Sequence, residues 1–251
     1  MCMSLKIKLL LVSLAAACLF SCADESIVLA PEALGLEYYP IEEGQYWIYE
    51  VDSTVVIGGG ASLFTSQSYV KEEITGSFTN SQGDTSFVLT ISNSNTLDGT
   101  YVVTDVWKVE KSDTRVIRFE ENRAFIKLVF PIKEGVSVEN VLFDEQVELN
   151  IAQQKMRPYL NWDYKVLEAG GFATVANKNY NNIIRVQQAN NQADFANEVN
   201  FRVVEEIYAP NIGMIERRME IFDTDCLGCL EPWIEKADRG YEVTQRLVDH
   251  N

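Results

Sequence analysis

Thr85-Ser86-Phe87-Val88-Leu89-Thr90-Ile91-Ser92 alternates residue by residue, with Phe87, Leu89 and Ile91 on one side and Ser86, Val88 and Thr90 on the other. A period of two marks a β-strand with one face against a core. Outward from this stretch the pattern recurs. Tyr46-Trp47-Ile48-Tyr49-Glu50-Val51 is dense in aromatic and β-branched residues, and Trp47, Tyr49 and Val51 share one side. Residues 101–109, 114–119 and 123–130 continue it, the last with Ala124, Ile126, Leu128 and Phe130 in one row. Residues 163–167, 182–187, 199–204, 213–222 and 241–248 complete the set of predicted strands.

Turn signals separate these segments: Gly58-Gly59-Gly60, Gly83-Asp84, Asp98-Gly99, Glu120-Glu121-Asn122 and Gly170-Gly171. The spacing suits antiparallel hairpins. Residues 150–157 read either as a short helix or as a continuation of the alternation of Val147, Leu149 and Ile151. Strands do not alternate with helices, which excludes a doubly wound parallel sheet. The expected class is mainly β: antiparallel sheets in a β-sandwich or an open curved half-barrel, with few short helices. The Asn-rich stretch 177–200 reads as a solvated hairpin with turn-forming Asn.

The N-terminus reads as an address. Lys6 and Lys8 precede an apolar run over residues 9–20 that only Ser13 interrupts. It has the length of a signal-peptide core and is too short to span a bilayer. Leu19-Phe20-Ser21-Cys22 resembles a lipobox, which implies a diacylglyceryl group on the Cys22 sulfur and cleavage before it. Cys18, after Ala15-Ala16-Ala17, is a weaker candidate, because too few strongly apolar residues separate it from Lys8. The expected organisation is a signal peptide over 1–21, a lipidated cysteine and tether over 22–37, and a single β-rich domain over 38–251. Two acyl chains suffice for stable anchoring. Ala23-Asp24-Glu25-Ser26 resembles the acidic surface-export signal of Bacteroidota-type lipoproteins. The expected location is the outer membrane, lipid-anchored, facing the periplasm or the cell surface.

Charge narrows the partners. The chain has 21 basic and 37 acidic residues, a net charge of −16. Loss of residues 1–21 removes Lys6 and Lys8 and no acid, which takes the net charge to −18. Such a chain repels nucleic acid and anionic headgroups. The expected partners are a membrane, through the N-terminal lipid, and an envelope protein or glycan.

Motifs for chemistry are sparse. The one histidine, His250, stands next to the last residue, where a chain is expected to fray. Hydrolysis by a Ser-His-Asp or Cys-His constellation needs a positioned imidazole, and zinc hydrolases commonly need two or three histidines. Cys226-Leu227-Gly228-Cys229 reads as a local disulfide, a redox pair or half a metal site. Asp223, Asp225 and Glu231 around it disfavour a thiolate, and no second Cys-x-x-Cys completes a zinc site. A structural disulfide between Cys226 and Cys229 is expected, in keeping with an oxidising compartment. No catalytic residue, cofactor or metal ligand is assigned.

Three segments carry a family resemblance: Tyr38-Tyr39-Pro40-Ile41-Glu42-Glu43-Gly44-Gln45-Tyr46-Trp47-Ile48-Tyr49-Glu50-Val51-Asp52, Phe125-Ile126-Lys127-Leu128-Val129-Phe130-Pro131-Ile132-Lys133-Glu134-Gly135, and Tyr208-Ala209-Pro210-Asn211-Ile212-Gly213-Met214-Ile215-Glu216-Arg217-Arg218. Together they resemble uncharacterised outer-membrane lipoproteins of Bacteroidota-type bacteria, a resemblance that implies an address and no activity. Val136-Ser137-Val138 departs from those relatives, which carry a tryptophan soon after the glycine.

Three functions remain in view. The first is a non-enzymatic binding or scaffold module of the envelope. The second is a lipid or lipoprotein carrier, which requires an unfilled apolar groove. The third is a carbohydrate-active enzyme, which requires two carboxylates facing each other across a cleft.

Overall fold

Three pairs of adjacent residues in left-handed backbone set the hairpins. Glu121 and Asn122 (φ 47° and 66°), Ala152 and Gln153 (50° and 67°), and Ala176 and Asn177 (47° and 62°) form two-residue turns of the twist that matches antiparallel strands. A computed structural model describes residues 34–81, 83–139, 144–191 and 199–251. The segments read as a signal peptide and a lipobox with Cys22, and residues 192–198 of the Asn-rich stretch, lie outside the described residues.

The strands are β1 (Tyr46–Ile57), β2 (Ser62–Thr79), β3 (Thr85–Ser94), β4 (Val102–Lys111), β5 (Arg115–Glu120), β6 (Arg123–Val129), β7 (Ser137–Glu139), β8 (Leu149–Ile151), β9 (Gln154–Met156), β10 (Trp162–Val175), β11 (Lys178–Asn190), β12 (Asn200–Ala209), β13 (Gly213–Asp223) and β14 (Arg239–His250). One four-residue helix, α1 (Trp233–Lys236), precedes β14. Twelve strands make a single antiparallel sheet in the order β6-β5-β4-β3-β2-β1-β14-β13-β12-β11-β10-β7, and β8 pairs with β9 separately. The first six strands form one meander and β10 to β14 another. The pairing of β1 with β14, from Trp47 opposite His250 to Val56 opposite Gly240, joins them.

The sheet is open but folds back on itself. The Val129 N–H at the β6 end donates to the Tyr164 hydroxyl of β10 at 3.2 Å, so a side chain bridges where a ladder would otherwise close. The main core fills the space between. It includes Trp47, Tyr49, Ile74, Leu89, Ile91, Val109, Ile126, Leu128, Ile183 and Tyr208. β12 is covered on both faces. Val204 packs with Phe125, Trp162 and Met156, whereas Phe201 and Val203, pointing the other way, pack with Trp233 of α1 and Phe222. Near-continuous apolar sequence is what a doubly covered strand requires.

Several expectations need correcting. β2 escapes the sequence reading because residues 62–67, Leu63 and Phe64 included, are all exposed, with no alternation to report a core face. Gly170-Gly171 does not end a strand; it lies inside β10 at a series of register shifts, and the turn comes at Ala176 and Asn177. Of the two readings left open around residues 150–157, the strand reading holds: β8 pairs with β9. Packed structure also begins ahead of Tyr38: the Ile132 N–H donates to the Leu34 carbonyl at 3.0 Å, and Leu36 lies against the main core. Packed structure thus includes Leu34 and Leu36. Among the described residues, no helix is long and apolar enough to cross a membrane.

Candidate functional site

Charged residues embedded in apolar strands mark the centre of the molecule. Lys127 interrupts Phe125-Ile126-Lys127-Leu128-Val129, and Glu206 stands between Val204 and Tyr208 on the same side of β12. The fold brings these two together. Lys127 Nζ donates to Glu206 Oε1, and both side chains are buried. The other Glu206 oxygen accepts the Tyr208 hydroxyl at 2.6 Å and Gln188 Nε2 at 3.2 Å. Arg217, the cross-strand neighbour of Glu206 on β13, places Nε 3.3 Å from Oε1. A second buried pair lies nearby: Arg118 of β5 contacts Glu72 of β2 at 3.2 Å and Glu120 at 2.6 Å.

Arg118, Lys127 and Arg217 thus face Glu72, Glu120 and Glu206, and the cluster is neutral as a whole. Burial opposes ionisation of Glu206, but Lys127 and Arg217, with the hydrogen bonds it accepts, overcome this and hold its pKa at about 2. Burial pushes Lys127 down to about 8. Glu206, and less strongly Glu120, do not offset that, because Arg118 and Arg217 add like charge. Glu120 is likewise held low, burial being outweighed by Arg118 first. A glycosidic general acid needs the opposite displacement, upward.

The three resemblance segments converge here. Tyr39, Pro40, Trp47 and Tyr49 come from the first, Lys127 from the second, and Tyr208, Gly213 and Met214 from the third. With Glu72 and Arg118 they line a small, partly open cavity of about 20 Å³. That volume holds about one water molecule. The Trp47 indole N–H donates to the Ile212 carbonyl, and the Tyr49 hydroxyl donates to the Met214 carbonyl at 3.0 Å. Gly213, at φ 99°, lets the β12–β13 turn approach the Trp47 ring; a Cβ there would lie 3.4 Å from the indole nitrogen. The two rings are therefore core and scaffold for this turn, with no face offered to a sugar.

The larger depressions are open and polar. One of about 330 Å³ on the outer face of β13 and β14 is lined by Glu216, Glu220 and Glu242 together with Arg218 and Arg246. Another of about 340 Å³ includes Asp223, Asp225, Arg157 and Arg239. Beneath it Arg202 is fully buried and fully used: it pairs with Asp223 at 2.7 Å and donates to the carbonyls of Arg157, Phe201 and Phe222. No group of metal-binding side chains occurs among the described residues.

Cys226 and Cys229 are disulfide-bonded, with Cα atoms 5.7 Å apart. Thr224 Oγ1 donates to the Lys236 carbonyl and Lys236 Nζ to the Cys229 carbonyl, which pins the loop to α1. Leu227 and Leu230 are exposed at its tip. His250 does not fray as its position suggests; β14 holds it opposite Trp47. The buried charges were absent from the sequence-derived candidates. The available signal was a lysine or glutamate inside an apolar run, since such residues are almost never fully buried unless paired.

No family model matches the chain, and a search of curated proteins finds no match. Among solved structures it is similar to a candidate lipoprotein from Parabacteroides distasonis, at 14% identity over 85% of this chain and 98% of that one, with a TM-score of 0.40. It is also similar to a candidate exported protein with a YmcC-like fold from Bacteroides fragilis, at 10% identity over 84% and 98% of the two chains, again with a TM-score of 0.40. A DUF1329 family protein from Desulfovibrio piger matches at 8% identity over 86% and 89%, with a TM-score of 0.22. Similarities this distant leave the function to be argued from the chain's own geometry.

Proposed function

We propose that this chain is a lipoprotein of the outer membrane, anchored through Cys22, and that its β-domain is a non-catalytic module that binds an envelope partner through its surface. The observation that carries this reading is the filled interior. The central cavity, of about 20 Å³, is bordered by ion pairs that are neutral as a set. Ligand pockets typically run to ~300–1,000 Å³. A carrier needs such a space and an apolar lining, and the larger depressions described above are open and polar. Binding then falls to strand edges, turns and the outer face. The sequence features before Cys22 support the anchor.

The test is expression of the full chain in a Gram-negative host with a labelled fatty acid. The label should follow the protein into the outer-membrane fraction, survive Cys18→Ser and vanish with Cys22→Ser. Mass spectrometry of the extracted protein should find no further acyl lipid at stoichiometric level. Label retained in Cys22→Ser would overturn the anchor. A second, non-covalent lipid at one per chain would overturn the surface-binding reading in favour of a carrier.

A further inference from the structure

The connection from Asp223 to Arg239 holds two leucines out in solvent. Leu227 is 69% exposed and Leu230 81%, the highest value for a large apolar side chain among the described residues. Apolar residues scattered singly over a surface are ordinary. Two within four residues, on a loop braced at several points, are a presented pair. The Cys226–Cys229 disulfide closes the loop. The Cys226 N–H donates to Thr224 Oγ1 at 3.1 Å, and the Asp225 N–H to Asp238 Oδ2 at 2.6 Å. Lys236 Nζ donates to the Cys229 carbonyl at 3.0 Å from the other side. Trp233, stacked on Phe201, fixes α1 in the small core beneath. An anchor presented on a fixed backbone loses less freedom when a partner covers it.

The surround is acidic. Residues 223–239 contain Asp223, Asp225, Glu231, Glu235 and Asp238 against Lys236 and Arg239. Both bases are committed, Lys236 to the Cys229 carbonyl and Arg239 to Asp223 at 3.5 Å and Asp225 at 3.6 Å. Glu231 and Glu235 are exposed and form no ion pair among the described residues. The loop also lies at the far end of β13 from the segment that leads back to the N-terminus. The Asn211 N–H, in the turn before β13, donates to the Glu37 carbonyl at 2.8 Å, and β13 then runs 11 residues, roughly 35 Å, to Asp223.

We propose that this loop is the surface through which the chain binds its partner, and that the occupant is a protein segment in which apolar side chains are flanked by lysine or arginine. Leu227 and Leu230 supply the apolar anchors, and the partner's cations meet Glu231 and Glu235. The same carboxylates repel an anionic bilayer surface, which favours a protein over a membrane as the occupant. This inference deepens the surface-binding reading and rests on it.

The test is titration of the purified full chain, labelled for amide NMR, with three synthetic peptides of equal length: alternating leucine and lysine, alternating serine and lysine, and alternating leucine and glutamate. The leucine–lysine peptide should shift the amides of residues 225–231, saturate, and bind more weakly as salt rises. Leu227→Ser together with Leu230→Ser should weaken it about tenfold or more, as loss of two apolar anchors requires. The serine–lysine peptide, equal in charge, should bind no better than that, and the leucine–glutamate peptide should not bind. Glu231→Gln together with Glu235→Gln should weaken the leucine–lysine peptide and flatten its salt dependence. All four substitutions change exposed side chains, and unchanged amide positions outside the loop report that each variant keeps the fold. Shifts centred elsewhere, no saturable binding, or binding indifferent to loss of the two leucines overturns the proposal. So does Leu227-dependent binding to phosphatidylcholine vesicles in place of the peptide, which assigns the loop to a lipid surface. A non-covalent lipid at one per chain would overturn the surface-binding reading and leave the peptide result standing, so the two failures are told apart.

Discussion

Lys127 on β6 and Glu206 on β12, 79 residues apart in the chain, form an ion pair from which solvent is excluded. The pair ties the first meander to the second across the interior. Its two members are not equivalent. Glu206 also serves Arg217, Tyr208 and Gln188, whereas among the described residues no other carboxylate forms an ion pair with Lys127.

Truncation should therefore be asymmetric. Glu206→Gln removes the carboxylate that Lys127 and Arg217 both contact, and should cost about 3–5 kcal/mol, the range for breaking a buried pair. Lys127→Met leaves Glu206 with three partners and should cost less. The double variant should be less destabilised than the two single losses added together, because the pair is coupled. Urea unfolding midpoints of the three variants check this, and an equal or larger loss in Lys127→Met would contradict it.

The same pair sets a pH profile. Glu206 is held at about 2 against an ordinary 4.5, so its stabilisation is complete above about pH 4.5 and is lost as pH falls toward 2. Lys127 is depressed to about 8 from 10.5, so the unfolded chain binds more protons than the folded one between those values, and stability rises over that window. Tyr49 and Tyr208 are pushed well above 10 by burial first and then by neighbouring carboxylates, so above pH 10 the unfolded tyrosines ionise and stability falls. Denaturant titrations across pH should show an acid loss and a maximum between about pH 8 and 10. Lys127→Met should remove the rise on the alkaline side.

Tyr49→Phe should cost about 1–2 kcal/mol, because the Met214 carbonyl loses its buried donor while the ring still packs. Trp47→Phe should cost more, since it removes the bond to Ile212 and opens space beside Gly213. Thermal unfolding of the two variants ranks them, and a larger loss in Tyr49→Phe would count against this account of the turn.

Reducing Cys226–Cys229 should cost at most about 2 kcal/mol, because the closed loop is so short. The contacts of Thr224 and Lys236 with the loop should keep it in place. A calorimetric scan with and without reductant should differ by only a few degrees. Loss of the cooperative transition would show that the loop holds more of the fold than its contacts indicate.

The strand content was legible wherever one face of a strand meets the core and the other does not. β3 is the clearest case, with Phe87, Leu89 and Ile91 inward. β2 was illegible for the opposite reason: residues 62–67 are exposed on both faces, so its sequence carries no period. Gly170-Gly171 misled because glycine marks a bulge as readily as a turn. The choice between sandwich and half-barrel was beyond local pattern, since it rests on β1 meeting β14 from the far end of the chain. The buried charges were visible only as anomalies in apolar runs, and their partners came from distant strands.

The β1–β14 seam also has a consequence in time. A chain made from its N-terminus can zip up β1 to β6 hairpin by hairpin, and later β10 to β13, each pairing close to home in sequence. The join between the two halves waits for the last strand to arrive, residues 239–250. Until then the molecule is two ribbons with unsatisfied margins, vulnerable to proteases and to mispairing. Completion of the fold is thereby tied to delivery of residues 239–250, so a product that stops before them never gains the protection of the whole.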